Sequence, residues 1–181
     1  MILSNGVRID ILEWPEEHDW LECKRRAMVT VWKTKVLSPT TEWRLNILQA
    51  RHSPIRRLRF SFCFDGIPSS VSVHICRHVH AQPYVQSQRN DRQDKYDRRK
   101  APQDEPVNMI LDVNAEELMT IANKRLCQKS SVETRDIVQS MCVLTMNKCP
   151  EFEGLLVPMC EYHGGVCHEM HPCERMLRNN N

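Results

Sequence analysis

The sequence predicts a mixed α+β chain forming one domain over residues 1–181, and three observations carry that reading. Phe60, Phe62 and Phe64 alternate with polar or small residues through Arg59–Phe64, the period-two pattern of a half-buried strand, with Asp65-Gly66 as its turn. Asn114 with Glu117, and Ser130 with Glu133, resemble capping boxes, each followed by apolar residues at helical spacing. A length of 181 residues is enough to bury a core without disulfide or metal staples.

The elements follow in order. Val7 to Ile11 alternates apolar and polar residues and reads as a short strand, closed by Trp14-Pro15. Glu16 to Val36 reads as a helix with Trp20, Ala27, Val31 and Trp32 turned inward, and Thr41 to Ala50 as a second helix. Pro68 to Val79 fits a strand through Val71, Val73 and Ile75 or a helical face through Val71, Ile75 and Val79; the pattern slightly prefers the strand. Residues 80–106 are polar and read largely as loop. The helix opened by Asn114 turns Leu118, Ile121, Ala122 and Arg125 inward. The one opened by Ser130 turns in Ile137, Met141 and Leu144 and stops at Pro150. Residues 176–181 read as a frayed tail.

Composition excludes several function classes. Lys+Arg 25 against Asp+Glu 23 leaves a formal charge of +2, so no global field points to nucleic acid or a membrane surface. No window approaches 18 apolar residues, and the N-terminal stretch lacks the charged and apolar regions of a signal peptide. Nine cysteines, an odd number spread mostly through apolar segments, point to a reducing, cytoplasmic setting. There are five glycines in the chain, where average usage of about 7% would give roughly thirteen. Neither the dinucleotide fingerprint nor the P-loop string occurs, so a phosphate site in this chain has to be built from side chains.

The densest polar stretch, residues 77–100, carries Arg77, Arg89, Arg92, Arg98 and Arg99 together with His78 and His80. It reads either as a solvated loop or as a phosphate site, since guanidinium forks bind phosphate bidentately. Ser87 and Arg89, two apart, share one side of an extended chain. Arg125 stands on an inward stripe, either snorkelling toward Glu133 or Asp136 or aimed at an anionic ligand. Near the C-terminus, Cys160, His163, Cys167 and Cys173 offer soft ligands, but without the close C-x(2–4)-C pair of structural zinc they read as free thiols, and no metal is assigned.

These residues carry a resemblance. Arg77-His78-Val79, seven residues and then Ser87 resembles the R-H-R-x7-S motif of the flavin-dependent thymidylate synthases, the ThyX family, and the match runs on through Gln86-Ser87-Gln88-Arg89. His52 ahead of Phe60-Ser61-Phe62 resembles the family's histidine before an F-x-F strand. Val113-Asn114-Ala115, Leu118-Met119, Arg125 and Glu133 resemble its helix pair. Val157-Pro158-Met159-Cys160 with Cys167-His168-Glu169 and Cys173 resembles the tail of phage and anaerobe members.

The resemblance implies a small antiparallel or mixed sheet packed by helices, assembled as a homotetramer with shared sites. It implies FAD as cofactor, NADPH as reductant and methylenetetrahydrofolate as one-carbon donor to C5 of dUMP, in the cytoplasm, with phage-encoded members among those it resembles. No covalent protein nucleophile is implied, so the protein's part is binding, orientation and electrostatics. Carried over residue by residue, Arg77 and His78 fall on positions contacting FAD and nucleotide. Ser87, Gln88 and Arg89 line the dUMP site, with Arg89 near the phosphate, and Arg98 or Arg99 matches a further nucleotide-binding arginine. Asn114 and His52 fall on the flavin side. Arg125 falls on the arginine that reaches the pyrimidine base and also touches flavin; with Arg77 and Ser87 it makes up the catalytic set. Val79 stands where the motif has its third cation, and Gln82, Tyr84, Val85 and Asn90 stand where the family carries Ser, Asn, Glu and Tyr. The segment between Arg89 and Arg98 is short. These departures leave two alternatives: a related flavin- and folate-dependent modification, such as hydroxymethylation of another pyrimidine deoxynucleotide, and an inactive nucleotide-binding homologue.

Overall fold

The computed structural model describes residues 1–91 and 97–173. Four strands, β1 (Arg8–Glu13), β2 (Arg59–Pro68), β3 (Gln82–Val85) and β4 (Pro106–Asn114), form one sheet in the order β1-β2-β4-β3. All three pairings are antiparallel, with Ile9 opposite Phe64, Phe62 opposite Leu111 and Tyr84 opposite Ile110. The period of two then sorts the side chains. Phe60, Phe62 and Phe64 of β2 and Val107, Met109, Leu111 and Val113 of β4 are buried, while Arg59, Asp65, Asn108 and Ile110 are exposed.

The buried face is covered by α3 (Ser69–Cys76), α4 (Ala115–Arg125) and α5 (Val132–Lys148). Val71 and Ile75 of α3, Leu118, Ile121 and Ala122 of α4, and Ile137 and Met141 of α5 complete the core. Helices α1 (Glu17–Val29) and α2 (Thr41–Gln49) flank it, with a 3-10 turn, Ser53–Arg57, delivering the chain into β2. A second 3-10 turn, Pro150–Phe152, sets Phe152 edge-on to Phe60 at 5.4 Å between ring centroids. The short α6 (Met159–Tyr162) packs on α4. Among the described residues no helix is long and apolar enough to cross a membrane.

Several sequence expectations are corrected. The first helix stops at Val29, not Val36, and Val31 and Trp32 face solvent, Trp32 at 97% exposure with φ of +59°. The β-branched run Val29-Thr30-Val31 is a poor helix continuation, and the Thr30 hydroxyl donates to the Ala27 carbonyl at the exit. Asp65-Gly66 is no hairpin turn. The strand continues to Pro68, with its register to β4 broken between Phe64 and Ile67; Gly66 sits at φ +74° and its N–H donates to Asn108 Oδ1 at 2.9 Å. The stretch from Ser69 to Cys76 is helix rather than strand: Val71 and Ile75, four apart, are buried, while Val73 between them is 53% exposed. Residues 80–106, read as loop, include β3, which sits at a sheet edge. The tail at 176–181 and Arg92 lie outside the described residues.

The second helix start is displaced by one residue. Ser131, not Ser130, is the N-cap of α5, and its hydroxyl accepts from the Thr134 N–H at 3.3 Å. Ser131→Ala is expected to lower unfolding free energy by about 1 kcal/mol and Ser130→Ala by a few tenths, read as urea midpoints. Equal losses would return the cap to Ser130.

Candidate functional site

The strongest local chemistry gathers where the C-terminal end of α3 meets α4. Asn114 caps α4, its Oδ1 accepting from the Glu117 N–H at 2.9 Å, as the sequence predicts. The Glu117 side chain does not close a capping box. It turns inward, 5% exposed, and its Oε1 lies 3.0 Å from Nδ1 of His78, itself 8% exposed in the turn after α3. On the far side of that ring, Arg125 Nε donates to His78 Nε2 at 3.1 Å, and Arg125 Nη2 donates to the His74 carbonyl at 2.7 Å.

Hydrogen-bond logic assigns the tautomer. The Arg125 Nε–H is a donor, so His78 Nε2 has to offer its lone pair. Nδ1 then carries the proton and donates to Glu117. Burial, with the charge of Arg125 adding to it, holds the His78 imidazole below its ordinary 6.5 against the opposing pull of Glu117. This keeps the ring neutral, as the donation from Arg125 requires. Burial and the neighbouring Arg77 likewise push the Arg125 guanidinium down from its usual value.

Arg125 is therefore half-buried on its stripe, and it does not pair with Glu133 or Asp136: among the described residues no carboxylate forms an ion pair with it. Its Nε and one Nη2 hydrogen are engaged inside the protein, leaving both Nη1 hydrogens and the second Nη2 hydrogen along the end of the fork. Arg77, the C-cap of α3, is exposed beside it. Among the described residues no carboxylate forms an ion pair with either, and two such guanidiniums are chemically suited to an anion.

A second cluster lies against the flank of α3. Gln88, Arg89 and Arg98 border a cavity of about 400 Å³ together with Ser72, Val73 and Cys76. Arg89 and Arg98 also border an adjoining open cavity of about 590 Å³ with Arg99. Arg89 forms an exposed bidentate pair with Asp91, through Nε at 2.9 Å and Nη2 at 2.6 Å. Ser87 is exposed, and its Oγ accepts from the Arg89 N–H at 3.4 Å.

Helix α3 thus brings Arg77, His78 and Arg125 to its end and Gln88, Arg89 and Arg98 to its side. His52 is exposed at the start of the first 3-10 turn, and among the described residues no hydrogen bond or ion pair joins it to either cluster. Val79 is 88% exposed where the resembled motif has a cation. Sequence reasoning missed Glu117 as a partner of His78, the His74 carbonyl and Asp91. Glu117 carried one legible signal, an acid on the edge of the stripe running through Ile121 to Arg125.

The C-terminal soft ligands also converge. Cys160, His163, Cys167 and Cys173 line a cavity of about 250 Å³, joined by Cys127 from the turn after α4. Among the described residues no group of three His, Cys, Asp or Glu side chains is placed to hold a metal ion.

No protein-family model matches the chain, and no curated protein matches it in sequence. Among solved structures it is similar to thymidylate synthase X (ThyX) from Helicobacter pylori, solved with FAD and dUMP, at a TM-score of 0.62 and 12% identity, over 83% of this chain and 97% of that one. The likeness shows the fold: an α+β, ThyX-like arrangement of helices on a small four-stranded antiparallel sheet.

Proposed function

We propose that this chain is a flavin-dependent, thymidylate synthase-like enzyme that carries out reductive one-carbon transfer to C5 of dUMP. The observation that carries the reading is the free end of the Arg125 fork beside Arg77, on a ThyX-like fold. A pyrimidine base offers carbonyl oxygens that accept from a planar fork, and the Gln88, Arg89 and Arg98 cavity supplies Arg98 for the phosphate, joined by Arg89 once its exposed pair with Asp91 opens.

The residues present fit FAD in part. Arg77, Arg125 and the exposed His52 offer donors for its pyrophosphate and ring carbonyls. His78 and the Asn114 side-chain Oδ1 are spent on bonds within the chain, which leaves the Asn114 amide NH2 as the group it can offer to flavin. Flavin, when bound and reduced, supplies hydride to the pyrimidine. NADPH as reductant, methylenetetrahydrofolate as carbon donor and a homotetramer with shared sites belong to the same reading.

Purified protein is expected to carry or take up FAD, and dUMP to perturb the flavin absorbance band. Colourless protein that binds no added FAD overturns the proposal. Incubation with dUMP, methylenetetrahydrofolate and NADPH is expected to yield product heavier by CH2, a methyl in place of the C5 hydrogen. A hydroxymethyl mass favours the related modification instead. Val79, standing exposed in place of a cation, supports a second reading: a nucleotide-binding homologue that takes up dUMP and forms no product.

A further inference from the structure

We propose that Glu117 is a positioning residue of this site, acting through His78 to hold the Arg125 guanidinium with its outer edge toward an anionic ligand; the inference rests on the nucleotide-binding reading above. Helix α4 carries both ends of the chain of bonds, Glu117 near its start and Arg125 at its end, and His78 from the turn after α3 bridges them. Glu117 and His78 are both almost wholly enclosed, so neither touches a ligand directly.

Each member constrains the next. With the carboxylate accepting from Nδ1, the ring proton stays on that nitrogen and the Nε2 lone pair faces Arg125. The arrangement parallels a carboxylate–histidine–metal triad, with a guanidinium in place of the metal. Nε bound to His78 and Nη2 bound to the His74 carbonyl fix two points on one edge, which sets the plane of the fork. A further bond, His74 Nδ1 to the Thr134 hydroxyl at 2.9 Å, ties that part of α3 to α5. The ionisable groups acting on His78 are Glu117, Arg125 and Lys124, all from α4. A purely structural Glu–His pair would not need its outer nitrogen turned to an arginine that, among the described residues, has no carboxylate partner.

The test combines nitrogen NMR of the histidine and arginine side chains with dUMP titration calorimetry. In the parent, His78 Nε2 is expected to be unprotonated and the Arg125 Nε–H protected from exchange. A proton on Nε2 overturns the proposal without any variant being made. Glu117→Leu is expected to expose the Arg125 Nε–H to exchange and to weaken dUMP binding roughly 10-fold, the scale for loss of an outer-shell partner. Glu117→Gln, whose amide oxygen can still accept from Nδ1, is expected to retain both properties. In an Arg125→Ala background the Glu117→Leu step is expected to cost no further affinity, because its effect passes through Arg125. Full additivity, or unchanged exchange in Glu117→Leu, overturns the proposal. A parent protein that binds no dUMP overturns the functional reading instead, and the nitrogen spectra then decide the positioning claim by themselves.

Discussion

Arg125→Ala is expected to weaken dUMP binding by about 30- to 150-fold, corresponding to the loss of roughly 2–3 kcal/mol of charge-assisted hydrogen bonding in a partly buried site. The size of the effect follows from the fork geometry. Three N–H groups remain on it after His78 and the His74 carbonyl take theirs, and among the described residues no carboxylate competes for them. Arg125→Lys keeps the charge but presents a single ammonium, so it is expected to fall between parent and alanine. The alanine variant also leaves His78 Nε2 and the His74 carbonyl without a donor, so some loss of stability should accompany it. Calorimetric titration separates the two effects, because binding is measured on the folded fraction. An alanine variant that binds dUMP as tightly as the parent removes Arg125 from the site.

The largest expected effect on stability is that of Phe62→Ala, a loss of about 3–5 kcal/mol in unfolding free energy. Phe62 is fully buried at the middle of β2, with Ile11 opposite on β1 and Leu111 opposite on β4. Its ring stacks near Phe60 at 6.4 Å and lies the same distance from Phe64. Strand pairing on both sides keeps the backbone from moving into the space left behind, so the cavity persists and the transfer and cavity terms add. Phe62→Leu fills more of the space and is expected to lose less. Urea denaturation measures both, and an alanine loss below 1 kcal/mol would mean that the sheet closes over the gap.

The legibility of this chain divides along the range of the forces involved. Phe60, Phe62 and Phe64 mark a strand, and Asn114 a helix start, because alternation and capping are set by the residue and its near neighbours. Residues 69–76 read wrongly because Val71, Val73 and Ile75 satisfy either period, and only packing shows that Val73 has no core to face. β3 was hidden among polar residues since an exposed edge strand has one sheet neighbour and little apolar pattern. The pattern overextends the first helix because outward-facing Val31 and Trp32 carry the same letters as core residues.

The candidate site divides in the same way. Arg77, His78, Ser87, Arg89 and Arg125 stand out in the sequence as arginine forks, an unexpected charge on a stripe and a motif resemblance. The chain alone determined that any phosphate is held by side chains, since the glycine loops are missing. Tertiary structure decided which of those side chains meet. It joined Glu117 to His78 across 39 residues and His78 to Arg125 across 47, engaged Arg89 with Asp91, and left the Arg125 fork open at one end. Hydrogen bonds of that separation leave no periodic trace. They depend on the end of α3 and the turn after it lying against α4 between Glu117 and Arg125, and that placement is set by the shared face of the sheet on which both helices pack.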